Sequence, residues 1–232
     1  MKATKIILGL LLSLVNVFGS AELVLLSGSP QVIAPSYLIS DNLEYANSSD
    51  ANTIGGWTTT STPTWAYATA PAPLEGTRSI RFTASAQNTF IEFPSQTDLW
   101  VYFLANAASN AANSLHVLLR DSTPTTMASA DFISTGIVRV NAGGLDNSSS
   151  AGTFLGATTY HCWLHYSTNG STANMDFYIS TTGVRPGSPQ ASKVSGSSTG
   201  GVTRLHLASA STTTVIFDKI RVSTSAIGDN PL

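Results

Sequence analysis

Thr159-Tyr160-His161-Cys162-Trp163-Leu164-His165-Tyr166, the connection Ser167-Thr168-Asn169-Gly170, and then Met175-Asp176-Phe177-Tyr178-Ile179-Ser180 decide the fold class of this chain. Side chains alternate between the two faces of a strand, so a period of two separates Tyr160, Cys162, Leu164 and Tyr166 from His161, Trp163 and His165. In the second segment Met175, Phe177 and Ile179 form the apolar set, with Asp176 and Tyr178 opposite. Two alternating runs joined by Asn-Gly turn chemistry read as neighbouring antiparallel strands.

The same pattern recurs outward from this pair, at 79–83, 89–93, 99–104, 115–120, 136–140, 203–208 and 214–222. Ile80 and Phe82 face inward with Arg81 outward, and Leu205 and Leu207 inward with Arg204 and His206 outward. Segments 99–104 and 115–120 are apolar nearly throughout, as strands covered on both sides are. No long stretch keeps a 3.6-residue period. Only 10% of residues are charged while 42% are apolar, so the core is ample and Ser and Thr wet the surface in place of Lys and Glu. The expectation is an all-β protein, an antiparallel two-sheet jelly-roll β-sandwich.

At the N-terminus, Lys2 and Lys5 precede an apolar run over 6–18 and the small residues Gly19-Ser20-Ala21, the pattern of a cleavable signal peptide over 1–21. The run is too short to cross a bilayer, so no transmembrane segment is expected after cleavage. Residues 22–40 read as an N-terminal arm or edge strand, and 41–232 as a single sandwich. Cleavage removes two lysines and no acid, moving the formal charge from −2 to −4, which leaves no electrostatic footprint for nucleic acid. The address is the exterior: secreted, or on a cell or virion surface. The single cysteine, Cys162, alternates with apolar neighbours and reads as a buried, inert thiol.

From about Arg78 to Ile227 the order of segments resembles the laminin-G-like, concanavalin A-like jelly-roll superfamily of lectins and glucanases. The motifs that carry it are Ile80/Phe82 after Arg78-Ser79, the apolar 99–103 run, the Trp-His-rich 160–166 strand with Asn169-Gly170, Phe177-Tyr178-Ile179, Arg204-Leu205-His206-Leu207 and Ile216-Phe217-Asp218-Lys219-Ile220-Arg221-Val222. Asn42-Leu43-Glu44-Tyr45 is similar to the opening of such modules. The resemblance covers roughly two-thirds of the chain and implies the fold; one fold of this kind carries many activities.

Catalysis on this scaffold needs paired carboxylates on one strand face. Downstream of residue 21 the only glutamates are Glu22, Glu44, Glu75 and Glu92, none with an acidic neighbour two or four residues away. No Gly-x-Ser-x-Gly elbow is present. His161 and His165 share a face but lie roughly 13 Å apart along a strand, too far to hold one metal. A non-enzyme is expected, and no cofactor is required. The leading expectation is a secreted module that binds glycans or a surface protein, using outward aromatics and polar groups. The candidates are Trp57, Trp65 and Tyr67 at the sandwich edge, with Arg81, His116, Trp163, Tyr178, Arg204 and His206 on outward faces. A structural subunit of a virion, fibre or surface appendage, homo-oligomeric through the 23–26 arm, is the first alternative; a polysaccharide lyase or glycoside hydrolase is the second.

On 214–222, strict alternation puts Ile216, Asp218, Ile220 and Val222 on one buried face. A carboxylate there needs a cation, an arginine such as Arg81 or Arg221, or several N–H donors. The resemblance implies a structural Ca²⁺ tying the N-terminal acidic segment to this strand, with Asp41, Glu44 and Asp218 as its ligands.

Overall fold

The computed structural model describes residues 36–61, 63–67, 73–110, 112–143, 145–149, 152–196 and 199–231. The expected signal peptide over 1–21, and residues 22–35 of the expected arm, lie outside the described residues. In chain order the elements are β1 (Tyr37–Asp41), α1 (Ser48–Thr53), β2 (Trp57–Thr59), β3 (Thr64–Tyr67), β4 (Ser79–Phe82), β5 (Asn88–Gln96), β6 (Asp98–Ala107), β7 (Leu115–Arg120) and β8 (Thr126–Ile133). There follow β9 (Ile137–Ala142), β10 (Leu145–Ser148), β11 (Thr159–Thr168), β12 (Ala173–Ser180), β13 (Ala191–Ser195), β14 (Val202–Ser209) and β15 (Val215–Ser223). They form two antiparallel sheets of a jelly-roll sandwich. One runs β13-β12-β11-β6-β15-β4-β3, with β1 also on β15; the other runs β10-β9-β8-β7-β14-β5-β2.

The opening pair of segments is the hairpin β11–β12, in register from His161 opposite Ser180 to Thr168 opposite Ala173. Its turn is fixed by Asn169, whose Oδ1 accepts the N–H groups of Ser171 and Thr172, and by Gly170 at φ +84°. Tyr160, Cys162, Leu164 and Tyr166 join Met175, Phe177, Leu205 and Leu207 in the layer between the sheets. Cys162 is fully buried, and burial pushes its thiol up.

Two local features depart from the alternation. The register of β15 on β6 slips between Asp218 and Arg221, and Lys219 takes a left-handed φ of +48°. This bulge reverses the parity of the strand. Ile220 and Val222 therefore point into the core with Val215 and Phe217, while Asp218 points to the outer side with Ile216. The expectation of one shared face for all four is corrected accordingly. The same slip divides the far edge of β15: β4 pairs with Val215 to Phe217, and β1 pairs with Ile220 to Ser223.

The second departure is the Thr/Pro-rich segment after α1. It forms β2 on the seven-stranded sheet and β3 on the eight-stranded one, so the chain crosses between the layers here. Trp57 and Trp65 are carried inward, 1% and 6% exposed, with ring centroids 6.1 Å apart. Trp57 Nε1 donates to Asp41 Oδ2 at 2.6 Å, and the Asp41 carboxylate also accepts from Leu43 N and Tyr45 Oη.

Candidate functional site

The outer face of the seven-stranded sheet carries three rows of side chains, defined by the cross-strand register. The first row is Ser148, Arg139, Asp131, His116, Ala208 and Asn88. The second is Asp146, Asn141, Ser129, Leu118, His206, Phe90 and Thr58. The third is Thr126, Arg120, Arg204 and Glu92. Alternate residues on one strand are about 6.6 Å apart, so the rows are neighbours.

Over β7 to β10 these rows enclose a trough of about 360 Å³. Its polar groups are already engaged with one another. Asp131, 4% exposed, accepts Arg139 Nε and Nη2 on Oδ2 at 3.0 and 2.9 Å, and His116 Nε2 lies 3.2 Å from its Oδ1. Burial pushes the Asp131 carboxyl above the usual range, against the pull of His116 and Arg139. Arg139 Nη1 reaches Asp146 Oδ2 at 3.3 Å, and Asn141 Nδ2 donates to Asp146 Oδ1. Leu118 supplies apolar floor. Chemically this is a set of oriented donors and acceptors beside an apolar strip, with the charges largely paired.

The apolar strip continues along the second row. His206 stacks on Phe90 with centroids 4.8 Å apart, and the Arg204 guanidinium lies 5.0 Å from the Phe90 ring centroid. Burial, followed by the nearby Arg120 and Arg204 charges, holds the His206 imidazole down to about 4. It is therefore neutral at physiological pH.

Of the residues singled out from the sequence, His116, Arg204 and His206 meet on this face. Trp163, Tyr178 and Arg81 lie on the outer face of the opposite sheet, so the nine do not form one site. Trp57 and Trp65 are corrected from edge platforms to core residues, for the reason given above. Tyr67 ends β3 opposite Ser79; its side chain lies outside the described residues. Arg81 projects from β4 opposite Thr64 and Ile216.

Trp163 does face outward, but Tyr102, Leu104 and Ile227 seal it completely, and its Nε1 donates to Gly228 O at 3.1 Å. The chain beyond β15 thus folds back over the expected platform. Tyr178 packs 6.1 Å from Trp100, which stacks on His165 at 4.3 Å and lies beneath the Arg185 guanidinium. The trough residues Asp131, Arg139, Asn141 and Asp146 escaped sequence reading. The one signal available was the alternation of Ala128, Ala130 and Phe132 with Ser129 and Asp131.

The three expected calcium ligands do not converge. The Asp41 carboxylate is engaged by Trp57, Tyr45 and the Leu43 N–H. Glu44 accepts from Thr77 N and Oγ1, a contact that requires Gly76, since a Cβ there would overlap Glu44 Oε1. Asp218, 1% exposed, accepts from Ser79 Oγ, Glu75 N and Lys219 N. The split edge of β15 leaves a cavity of about 230 Å³ lined by Glu44, Glu75, Asp218 and Lys219. The cation in it is Lys219, whose Nζ is 2.8 Å from Glu75. Among the described residues no three acidic, histidine or cysteine side chains gather to hold a metal ion. A buried ammonium with its carboxylate partner does not fit a Ca²⁺ site.

No family model and no curated protein sequence matches the chain. Among solved structures, it is similar to a sialidase, at 14% identity and a TM-score of 0.57 over 82% of this chain; the chain spans 19% of the sialidase's length. It is also similar to the metal-free carbohydrate recognition domain of Emp46p, at 9% identity and a TM-score of 0.52, covering 84% of this chain and 100% of that domain. What these likenesses establish is the architecture alone: an antiparallel two-sheet jelly-roll β-sandwich, shared with the Emp46p carbohydrate recognition domain.

Proposed function

We propose that the chain is a non-catalytic, extracellular glycan-binding module whose site is the trough on the seven-stranded sheet. The observation that carries this reading is the preorganised network His116–Asp131–Arg139–Asp146–Asn141 beside Leu118 and the Phe90/His206 stack. A sugar offers hydroxyls on its rim and C–H groups on its faces. An oriented polar network next to an apolar strip answers both, and side chains already fixed lose little entropy on binding. The fold shared with the Emp46p carbohydrate recognition domain supports the same reading.

Binding is favoured over hydrolysis because Asp131 has both oxygens engaged within the network and its side chain is 5% exposed, so it cannot reach a glycosidic oxygen. We further infer that Lys219 takes the part of a structural cation, so the module needs no calcium at the β15 cavity. The basic, apolar and small-residue pattern at the N-terminus supports export.

The test is a glycan array followed by calorimetry on the purified chain and on Asp146→Ala and Asn141→Ala. Saturable binding weakened about ten-fold or more in either variant, with unchanged melting temperature, is expected. A stable fold blind to every glycan refutes the reading and favours an assembly subunit; release of new reducing ends refutes the non-catalytic part.

A further inference from the structure

The third row of the same face holds an unusual pairing. Arg120 on β7 and Arg204 on β14 stand directly opposite each other. Like charges directly across a strand pair are destabilising. Their mutual influence is felt, since burial and then Arg204 lower the Arg120 pKa, and both lower that of His206. Arg204 has a partner, with Nε on Glu92 Oε1 at 2.5 Å, and Asp121 lies within its field. Arg120 differs. Its Nε donates to Thr126 Oγ1 at 3.2 Å, and no carboxylate is paired with it among the described residues. Both terminal nitrogens of its guanidinium have no hydrogen-bond acceptor among the described residues.

Thr126 and Leu118 also line the trough, so the Arg120 fork stands on its flank. It lies about 6.6 Å along β7 from Leu118, over which a sugar ring would sit. A planar fork with free N–H groups is suited to two oxygens of one anionic group, carboxylate or sulfate. Beside this flank, the His116–Asp131–Arg139–Asp146 network sets two carboxylates against one guanidinium and an imidazole, paired with one another.

We propose that the trough takes an acidic glycan, with the anionic substituent of one ring held by Arg120 and Arg204 while neutral hydroxyls meet Asn141 and Asp146. This inference rests on the glycan-binding reading and names its ligand class. It also gives the opposed arginines a common counter-charge.

The experiment titrates the full chain and Arg120→Gln with three matched oligosaccharides: neutral, uronate-bearing and sulfated. For the unmodified chain, at least one acidic form should bind about ten-fold or more tighter than the neutral one, and the preference should shrink at high salt. The preferred acidic form identifies the anion. In Arg120→Gln the acidic-to-neutral ratio should collapse towards one. If that variant melts early, Arg120→Lys is read instead; it keeps the charge, loses the fork, and should retain only part of the preference. Equal affinity for neutral and acidic forms, or a preference indifferent to Arg120, overturns the inference and leaves the glycan site standing. Failure of all three to bind overturns both.

Discussion

Lys219→Met tests whether the chain carries its own structural cation. The Lys219 side chain is 5% exposed, and its ammonium is shared by both Glu75 oxygens at 2.8 Å. Breaking a buried pair by removing one partner costs about 3–5 kcal/mol. Here Glu75 is 49% exposed and regains water once freed, while Asp218 keeps its hydroxyl and backbone donors. The loss should therefore be smaller, about 1–3 kcal/mol. At about 2–4 °C per kcal/mol for a domain of this size, the melting temperature should fall by roughly 2–12 °C. Lys219→Gly removes the same charge but relieves the φ of +48°, and should recover about 1 kcal/mol relative to Lys219→Ala. Thermal melts in millimolar calcium and in chelator complete the test. The unmodified chain should melt at one temperature in both. A calcium-dependent rise in the unmodified chain refutes Lys219 as the resident cation. A Lys219→Met variant as stable as its parent refutes the energetic role of the pair.

Ile227→Ala removes the fully buried anchor of the C-terminal tail and should cost about 2 kcal/mol, the low end for such truncations because the tail can settle. Trp163 should then become accessible to acrylamide; unchanged quenching would show that the tail is not its cover. Trp57→Phe should lose about 2 kcal/mol in denaturant unfolding with the bond to Asp41, yet leave glycan affinity intact, which separates core from site. Burial raises Asp218 to about 7, so the native state holds a proton that the unfolded chain releases near pH 4. The stability linked to it is present at low pH and lost as the pH rises from about 4 to about 7. His165 is also raised, because hydrogen bonds to Asp176 and Asp98 outweigh its burial, and its contribution is lost as the pH climbs above about 6.5. His206, held down to about 4, opposes the Asp218 loss by adding stability as the pH rises to about 6.5. Urea midpoints should accordingly fall chiefly between about pH 6.5 and about pH 8, and Asp218→Asn should leave a net rise below about pH 6.5.

Alternation in the sequence assigns parity, and parity held wherever a strand ran without interruption. Cys162, Met175, Phe177, Leu205 and Leu207 point inward, and Arg204, Tyr178 and Trp163 point outward, as their positions require. What alternation does not encode is what lies above an outward face. Trp163 is outward and still fully buried, because Ile227 arrives from beyond the last strand. Nor does it encode a slip in register: the bulge at Lys219 turned one expected face into two. The trough was hidden for a related reason. The segment Thr126–Ile133 is Thr-Met-Ala-Ser-Ala-Asp-Phe-Ile, too poor in β-branched residues to announce a strand, so Asp131 had no assigned neighbour. Only the hairpin, centred on Thr135 at φ +63°, sets Asp131 opposite Arg139. The same dependence on register places Arg120 against Arg204 across strands that are far apart in sequence. A binding face on a sheet is composed across strands, whereas a sequence is written along them. The core, which needs only parity, can therefore be read from one segment at a time, and the site cannot.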